Sequence, residues 1–237
     1  MISPAQIEWE QIRTVLLDMD GTLLDLHFDN YFWQEHLPNC WAEQQGLEPD
    51  IAREQLAPRF KAVEGTLAWY CLDFWSRELE LDVLSLKDSV QHKIGLRPHV
   101  EYLLDELAHL GKRCILVTNA HHAVLEYKLV RTGLERHFES MYTAHAFGEP
   151  KESVRFWAML QDDLAYDCAT TLLIDDNQQV LRAAREYGVR HLLGIAQPDS
   201  HQPPLVIAEF PLLTDFHELF VEQCAAEDEI ADTMPKS

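Results

Sequence analysis

Three short apolar runs, each ending in a polar cluster, constrain this chain more than any other feature. Residues 13–18 (Arg-Thr-Val-Leu-Leu-Asp), 113–118 (Arg-Cys-Ile-Leu-Val-Thr) and 170–175 (Thr-Thr-Leu-Leu-Ile-Asp) are β-branched and aliphatic. Their length and near-continuous apolar character predict strands buried on both faces. Residues 190–195 form a similar run, and residues 138–143 a weaker one. Helical periodicity fills the gaps, over about 98–110, 121–132, 152–165 and 177–187. Gly133 and Gly188 follow two of these stretches, where a left-handed residue commonly closes a helix. Pro150 precedes a third, near its start. Buried strands alternating with helices predict an α/β fold with a parallel sheet covered on both faces. In such sheets ligands collect at the carboxyl ends of the strands, where all three polar clusters fall.

Residues 27–97 break the alternation. No strand pattern occurs there. Leu67, Tyr70, Cys71, Phe74, Trp75 and Leu79 recur at three- and four-residue spacing, which predicts one amphipathic helix. Less regular helical patterns cover 31–46, 50–64 and 83–94. The expected organisation is an α/β core from residues 1–26 and 98–200, with a helical module at 27–97 inserted after the first strand. Residues 201–237, with Pro203, Pro204, Pro211 and an acidic stretch at 222–232, read as a loosely packed extension ending in a partly disordered tail.

Composition narrows the function classes. A chain of 237 residues accommodates one core domain and an insert. A formal charge of −21 argues against a nucleic-acid polymer or an anionic membrane as partner, since both require a basic face. It leaves room for a small phosphorylated metabolite, because local cations or one metal ion override the global field inside a cleft. Five cysteines at long spacing, without a Cys-x-x-Cys, fit neither a disulfide scaffold nor a zinc ribbon, and suit a reducing compartment. The start, Met1-Ile2-Ser3-Pro4, lacks the basic and apolar regions of a signal peptide. No apolar run approaches the ~18 residues of a membrane span. The expected location is the cytoplasm, and oligomeric state is left open.

The chemistry is expected at the strand ends. Asp18 and Asp20 end the first strand, Thr118 and Asn119 the second, and Asp175 and Asp176 the strand at 170–175. Lys151 stands at a helix start. Phosphoryl transfer to a carboxylate needs a nucleophilic acid, a second acid for the leaving group, and a hard cation with oxygen ligands. It also needs a lysine or hydroxyl on the phosphoryl oxygens. These residues supply each part. On a continuing strand Asp18 and Asp20 would share one face; Gly21 suggests instead a sharp departure that brings both carboxylates to one point from different directions. Their proximity predicts a raised pKa for Asp20.

Asp18-Met-Asp-Gly-Thr-Leu-Leu-Asp25, Thr118-Asn119, Lys151 and Ile174-Asp-Asp176 resemble, in order and context, the four motifs of the haloacid-dehalogenase-like (HAD) hydrolase superfamily. The match spans residues of about 12–196, and the helical insert resembles that family's C1-type cap. Within the superfamily, Thr118-Asn-Ala-His121, Phe147-Gly-Glu-Pro-Lys151 and Pro198-Asp-Ser200 are most similar to bacterial GMP/IMP nucleotidases. The resemblance implies a Rossmann-like core and a Mg2+-dependent phosphomonoesterase acting through an aspartyl-phosphate. Asp18 would be the nucleophile and Asp20 the general acid and base. Mg2+ would be held by the Asp18 carboxylate, the Asp20 backbone carbonyl and Asp175, with Asp176 assisting through water or holding Lys151. Thr118, the Asn119 amide and Lys151 would bind the phosphoryl group. Dehalogenases lack an acid two residues after the nucleophile, so Asp20 favours phosphoester chemistry.

Alternatives stand beside this reading. A phosphoglycolate phosphatase or a β-phosphoglucomutase-like enzyme shares the same core and cap type. A regulatory protein on the fold would be expected to lack Asp18, Asp20 or Lys151. His121-His122 either meets substrate or sits in a helix's first turn. Arg97 either contacts substrate phosphate or anchors the linker, and Pro98-His99 departs from the Pro-Gly of many relatives. Either Asp176 or Asn177 caps the following helix. Of the aromatics Tyr31, Phe32, Trp33, Trp41, Trp69, Tyr70, Phe74 and Trp75, most are expected in the helical core and one or two at the cleft.

Overall fold

The computed structural model describes residues 7–205 and 209–220. Six parallel strands form one sheet: β1 (Thr14–Leu17), β2 (Arg113–Thr118), β3 (Ser140–Thr143), β4 (Thr171–Ile174), β5 (His191–Ile195) and β6 (Leu212–Leu213). Their order, β3-β2-β1-β4-β5-β6, is that of a doubly wound Rossmann-like sheet, and β1 lies at its centre. All four residues of β1 are buried, as the apolar run predicts.

Residues 27–93 carry helices and no strand: α1 (His27–Tyr31), α2 (Leu37–Gln45), α3 (Pro49–Val63), α4 (Leu72–Leu79) and α5 (Val83–Ser89). A π-helical turn, Phe32–His36, joins α1 to α2. Phe28, Phe32, Trp41, Leu56, Trp75 and Val83 bury one another in a core of their own. The chain enters and leaves this segment side by side: Asp25 N–H donates to Gly95 O (2.9 Å) and Arg97 N–H to Leu23 O (2.9 Å).

The sheet is flanked by α6 (Val100–His109), α7 (His122–Thr132), the short α8 (Ala144–Phe147), α9 (Val154–Leu164) and α10 (Gln178–Tyr187). The side-chain alternation of a strand divides the core in two. Val15, Leu17, Leu116 and Ile174 pack against α6 and α7 on one face; Leu16, Ile115, Val117 and Leu173 pack against α9 and α10 on the other.

Two expectations are corrected. The single amphipathic helix expected from Leu67 to Leu79 is broken. A 3-10 turn, Leu67–Tyr70, precedes α4, and between them Cys71 is extended, its Sγ accepting Phe74 N–H at 3.4 Å. The break turns the Tyr70 hydroxyl away from the helical core to Glu152 Oε1 (2.6 Å). The extension is not loosely packed over residues 209–220: Phe210, Leu213, Phe216, Leu219 and Phe220 are buried. Trp9 stacks on Phe220 at 5.1 Å and donates to Leu219 O at 2.8 Å. Proline forbids donation to a sheet but not acceptance, and Pro211 O takes Gly194 N–H at 2.8 Å. The acidic stretch at 222–232 and Cys224 lie outside the described residues. The described cysteines are free, and no described helix is long and apolar enough to cross a membrane.

Candidate active site

The carboxyl ends of β1, β2 and β4 bring the expected residues to one place. Lys151 is 1 % exposed and lies at its centre. Its ammonium donates to Asp18 Oδ1 (2.6 Å), Asp175 Oδ2 (2.6 Å) and Val117 O (2.9 Å). An ammonium has three protons, so this set is complete, and Asp18 and Asp175 hold Lys151 rather than Asp176. Gly21 makes the turn after the strand. Its φ of 89° is left-handed, and its N–H donates to Leu24 O at 2.8 Å.

One oxygen from each of Asp18, Asp175 and Asp176 lies within 4.8 Å of the others. Asp18 Oδ2 is buried and takes no hydrogen bond among the described residues. Three carboxylates facing one lysine leave two negative charges in excess. The residues therefore fit a divalent cation with a preference for oxygen. The Asp20 side chain stands apart from this trio, and Asp176 completes it. Burial pushes the Asp18 carboxyl up to about 6, against the lowering pull of Lys151. Burial and the neighbouring carboxylates also raise Asp175 and Asp176.

Thr118 Oγ1 accepts Ala120 N–H at 3.0 Å, which leaves its own proton free to donate. The Asn119 side chain is a structural brace: Oδ1 accepts Lys151 N–H (2.9 Å) and Nδ2 donates to Glu152 Oε2 (2.9 Å). Glu152 also accepts from Tyr70 and from Asn177 Nδ2 (3.2 Å). Asn177, not Asp176, caps α10, accepting Gln179 N–H at 2.9 Å.

Asp20 faces a network that the motifs do not announce. Its Oδ1 accepts from Lys128 Nζ at 2.5 Å, and the same ammonium reaches Asp29 Oδ2 at 2.5 Å. Asp29 Oδ1 accepts from Lys87 Nζ at 2.8 Å. Both lysines are 2 % exposed or less. Burial pushes Asp20 up to about 6, outweighing the lowering effect of Lys128; Asp29 adds to the rise and Asp18 contributes less. The expected rise is present, but its main cause is burial rather than Asp18. A signal for Lys128 was available in the sequence. It stands on the buried face of α7 with Val124, Leu125 and Leu129, an unusual place for a charge.

A cavity of about 710 Å³ opens above these groups. Its floor includes Asp18, Asp20, Thr118, Asn119, Lys151, Asp175 and Asp176, and the aromatic residues Trp33, Phe60, Trp69 and Tyr70 also line it. Phe32, Trp41 and Trp75 are buried helical core instead. Phe60 was not among the aromatics singled out from the sequence. His121 caps α7 and lines the cavity, whereas His122 is exposed. Arg97 anchors the linker, donating to Gly21 O (3.5 Å) and to Gln197 O. His99 occupies the left-handed conformation (φ 61°) that glycine would adopt more easily. The Pro198-Asp-Ser200 segment clamps the start of α1: Pro198 O accepts Leu26 N–H (3.0 Å), and Asp199 Oδ2 accepts Asn30 Nδ2 (2.7 Å).

Comparison with known proteins agrees with this fold. The GMP/IMP nucleotidase YrfG of Escherichia coli (strain K12) is 41% identical over 213 residues, covering 90% of this chain and 96% of that protein. The same-named protein of Shigella flexneri matches equally. Among solved structures, a HAD phosphatase from Thermococcus onnurineus superposes with a TM-score of 0.74 at 19% identity, covering 90% of this chain and 98% of that one. An L-2-haloacid dehalogenase from Xanthobacter autotrophicus superposes with a TM-score of 0.59 at 16% identity, covering 91% and 99%. At these identities the structures share the fold and say nothing of substrate. Residues 15–193 match the haloacid dehalogenase-like hydrolases, and the chain belongs to that family.

Proposed function

We propose that this hydrolase is a Mg2+-dependent phosphomonoesterase that releases phosphate from the 5′-monophosphates GMP and IMP. The observation that carries the reading is the knot of Asp18, Lys151 and Asp175 on the floor of a cavity that Trp33, Phe60, Trp69 and Tyr70 also line. An aromatic wall suits a flat base, and the floor suits a phosphoryl group. The 41% identity to curated GMP/IMP nucleotidases supports the choice of base.

Asp18 Oδ2, the buried oxygen that takes no hydrogen bond among the described residues, attacks phosphorus and forms an aspartyl-phosphate as the bond to the nucleoside oxygen breaks. Asp20 gives that oxygen its proton, then takes one from the water that hydrolyses the acyl-phosphate. Thr118 and the Asn119 amide hold phosphoryl oxygens, and Lys151 offsets their charge. Asp18, Asp175, Asp176 and the Asp20 carbonyl would hold Mg2+, which supplies neutralisation of the phosphoryl charge. The helical segment at 27–97 acts as a cap that excludes water and reads the leaving group. Asp20 favours this over carbon–halogen cleavage, which the fold likeness alone leaves open.

Phosphate release is measured from GMP, IMP, AMP, UMP, phosphoglycolate and β-glucose 1-phosphate, with and without Mg2+. Preference for GMP and IMP that requires Mg2+ and vanishes in Asp18→Asn is expected. Preference for phosphoglycolate, or isomerisation of the sugar phosphate, would replace the substrate while keeping the chemistry.

A further inference from the structure

The chain Asp20–Lys128–Asp29–Lys87 crosses from the core to the helical segment. Asp20 follows β1 and Lys128 lies on α7; Asp29 and Lys87 lie on α1 and α5. The links are 2.5, 2.5 and 2.8 Å. Aromatic rings enclose the two cations. Lys87 Nζ lies 4.2 Å from the Phe32 centroid and 4.9 Å from that of Phe28, and Lys128 Nζ lies 5.1 Å from Phe28. Enclosing four charged groups in this way contributes little to stability compared with apolar side chains of similar volume. It does fix direction. Lys128 holds the Asp20 carboxyl by Oδ1 alone, and Asp20 lines the cavity beside Asp18. Lys128 is itself held by a carboxylate that belongs to the helical segment.

We infer that Lys128 and Asp29 are positioning residues for proton transfer by Asp20, and that Asp29 ties this positioning to the seating of the helical segment on the core. The inference rests on the phosphoester reading above. Lys128 does not line the cavity, and Asp29, which does, gives its two carboxylate oxygens to Lys87 and Lys128. Lys128 and Asp29 aim the carboxyl that serves the leaving group. With the segment lifted, Lys128 loses one of its two carboxylates and Asp20 loses its fixed orientation. Hydrolysis is thereby confined to the seated state.

The test uses two esters that differ in their need for a proton. A nucleoside leaves as an alkoxide and needs the acid; p-nitrophenolate leaves as a stable anion and does not. Single-turnover release of each leaving group is followed in wild type, Asp20→Asn, Lys128→Met and Asp29→Asn at saturating Mg2+. This step precedes hydrolysis of the acyl-phosphate, so the later duty of Asp20 as base does not enter. Nucleoside release is expected to slow about 10- to 100-fold in Lys128→Met and Asp29→Asn, with p-nitrophenolate release within about threefold of wild type. Asp20→Asn should show the same split, and KM for the nucleotide should change little. Equal slowing of both esters, or of neither, would overturn the inference. Should the single variants unfold, Asp29→Leu/Lys87→Met/Lys128→Met removes every partner charge at once and faces the same comparison. Absence of release from either ester in folded wild type would remove the phosphoester reading beneath it, and that result needs no variant.

Discussion

A Cβ placed on Gly21 would stand 2.4 Å from Asp176 Oδ2 and 2.6 Å from its Cγ. The turn after the first motif therefore leaves no room for any side chain beside the last motif. Gly21→Ala must also hold a left-handed φ, which costs an L-residue about 1–2 kcal/mol. We expect this variant to melt several degrees lower and to lose at least about tenfold in kcat, because Asp176 is displaced from its carboxylate partners. A melt and a rate within error of wild type would refute the close approach.

Lys151 is the only cation bonded to Asp18 and Asp175 among the described residues. Lys151→Met leaves three carboxylates facing one another without a counter-charge. Removal of one partner from a buried pair costs about 3–5 kcal/mol, or roughly 6–20 °C for a chain of this size. Saturating Mg2+ should recover more of the melting temperature in Lys151→Met than it adds to wild type, since the cation then meets a stronger field. Calorimetry with and without Mg2+ reads this independently of activity, and an equal shift in both proteins would argue against a cation among these carboxylates.

Trp69 lines the cavity and holds Trp75 through its backbone, its carbonyl accepting Trp75 Nε1 at 2.9 Å. Trp69→Ala keeps the backbone bond and removes the ring. Stacking of a base on an aromatic side chain is worth about 1–3 kcal/mol. KM for GMP should rise about tenfold or more, and KM for ribose 5-phosphate, which lacks a base, should stay within about twofold. A parallel rise for both would place the base elsewhere.

His145 is half-buried beside His121, and burial, with help from His121 and His122, lowers its pKa from 6.5 to about 4. The folded state then binds fewer protons than the unfolded state between those values. Stability from this residue is complete above pH 6.5 and is lost as pH falls toward 4. Partial solvent screening limits the effect to about 1 kcal/mol. Denaturant unfolding of wild type and His145→Gln at pH 7 and pH 5 should show a smaller acid loss in the variant. Equal losses would mean that the imidazole charges in place at no cost.

Much of the fold was legible because its signals are local. Four apolar runs and the helices between them followed from side-chain period and from Gly133 and Gly188, and those elements stand where the pattern put them. The co-location of Asp18, Thr118 and Asp175 was legible because parallel strands present their carboxyl ends on one edge; Lys151 follows no strand directly, and its place was implied by the resemblance to the four motifs. Other features depend on residues far apart in the chain. The helix expected at 67–79 is broken at Cys71, and the partner that Tyr70 meets there, Glu152, lies 82 positions away. Residues 209–220 pack because Trp9 and the sheet edge receive them. Asp176 joins the carboxylate trio, and Asp199 the start of α1, through the same kind of long-range placement. The network of Asp20, Lys128, Asp29 and Lys87 spans 108 positions; the sequence marked Lys128 as a charge on a buried face, but its partners were hidden for the same reason. A buried charge is tolerated only where tertiary structure supplies its partner, and neither period nor propensity records which partner that is.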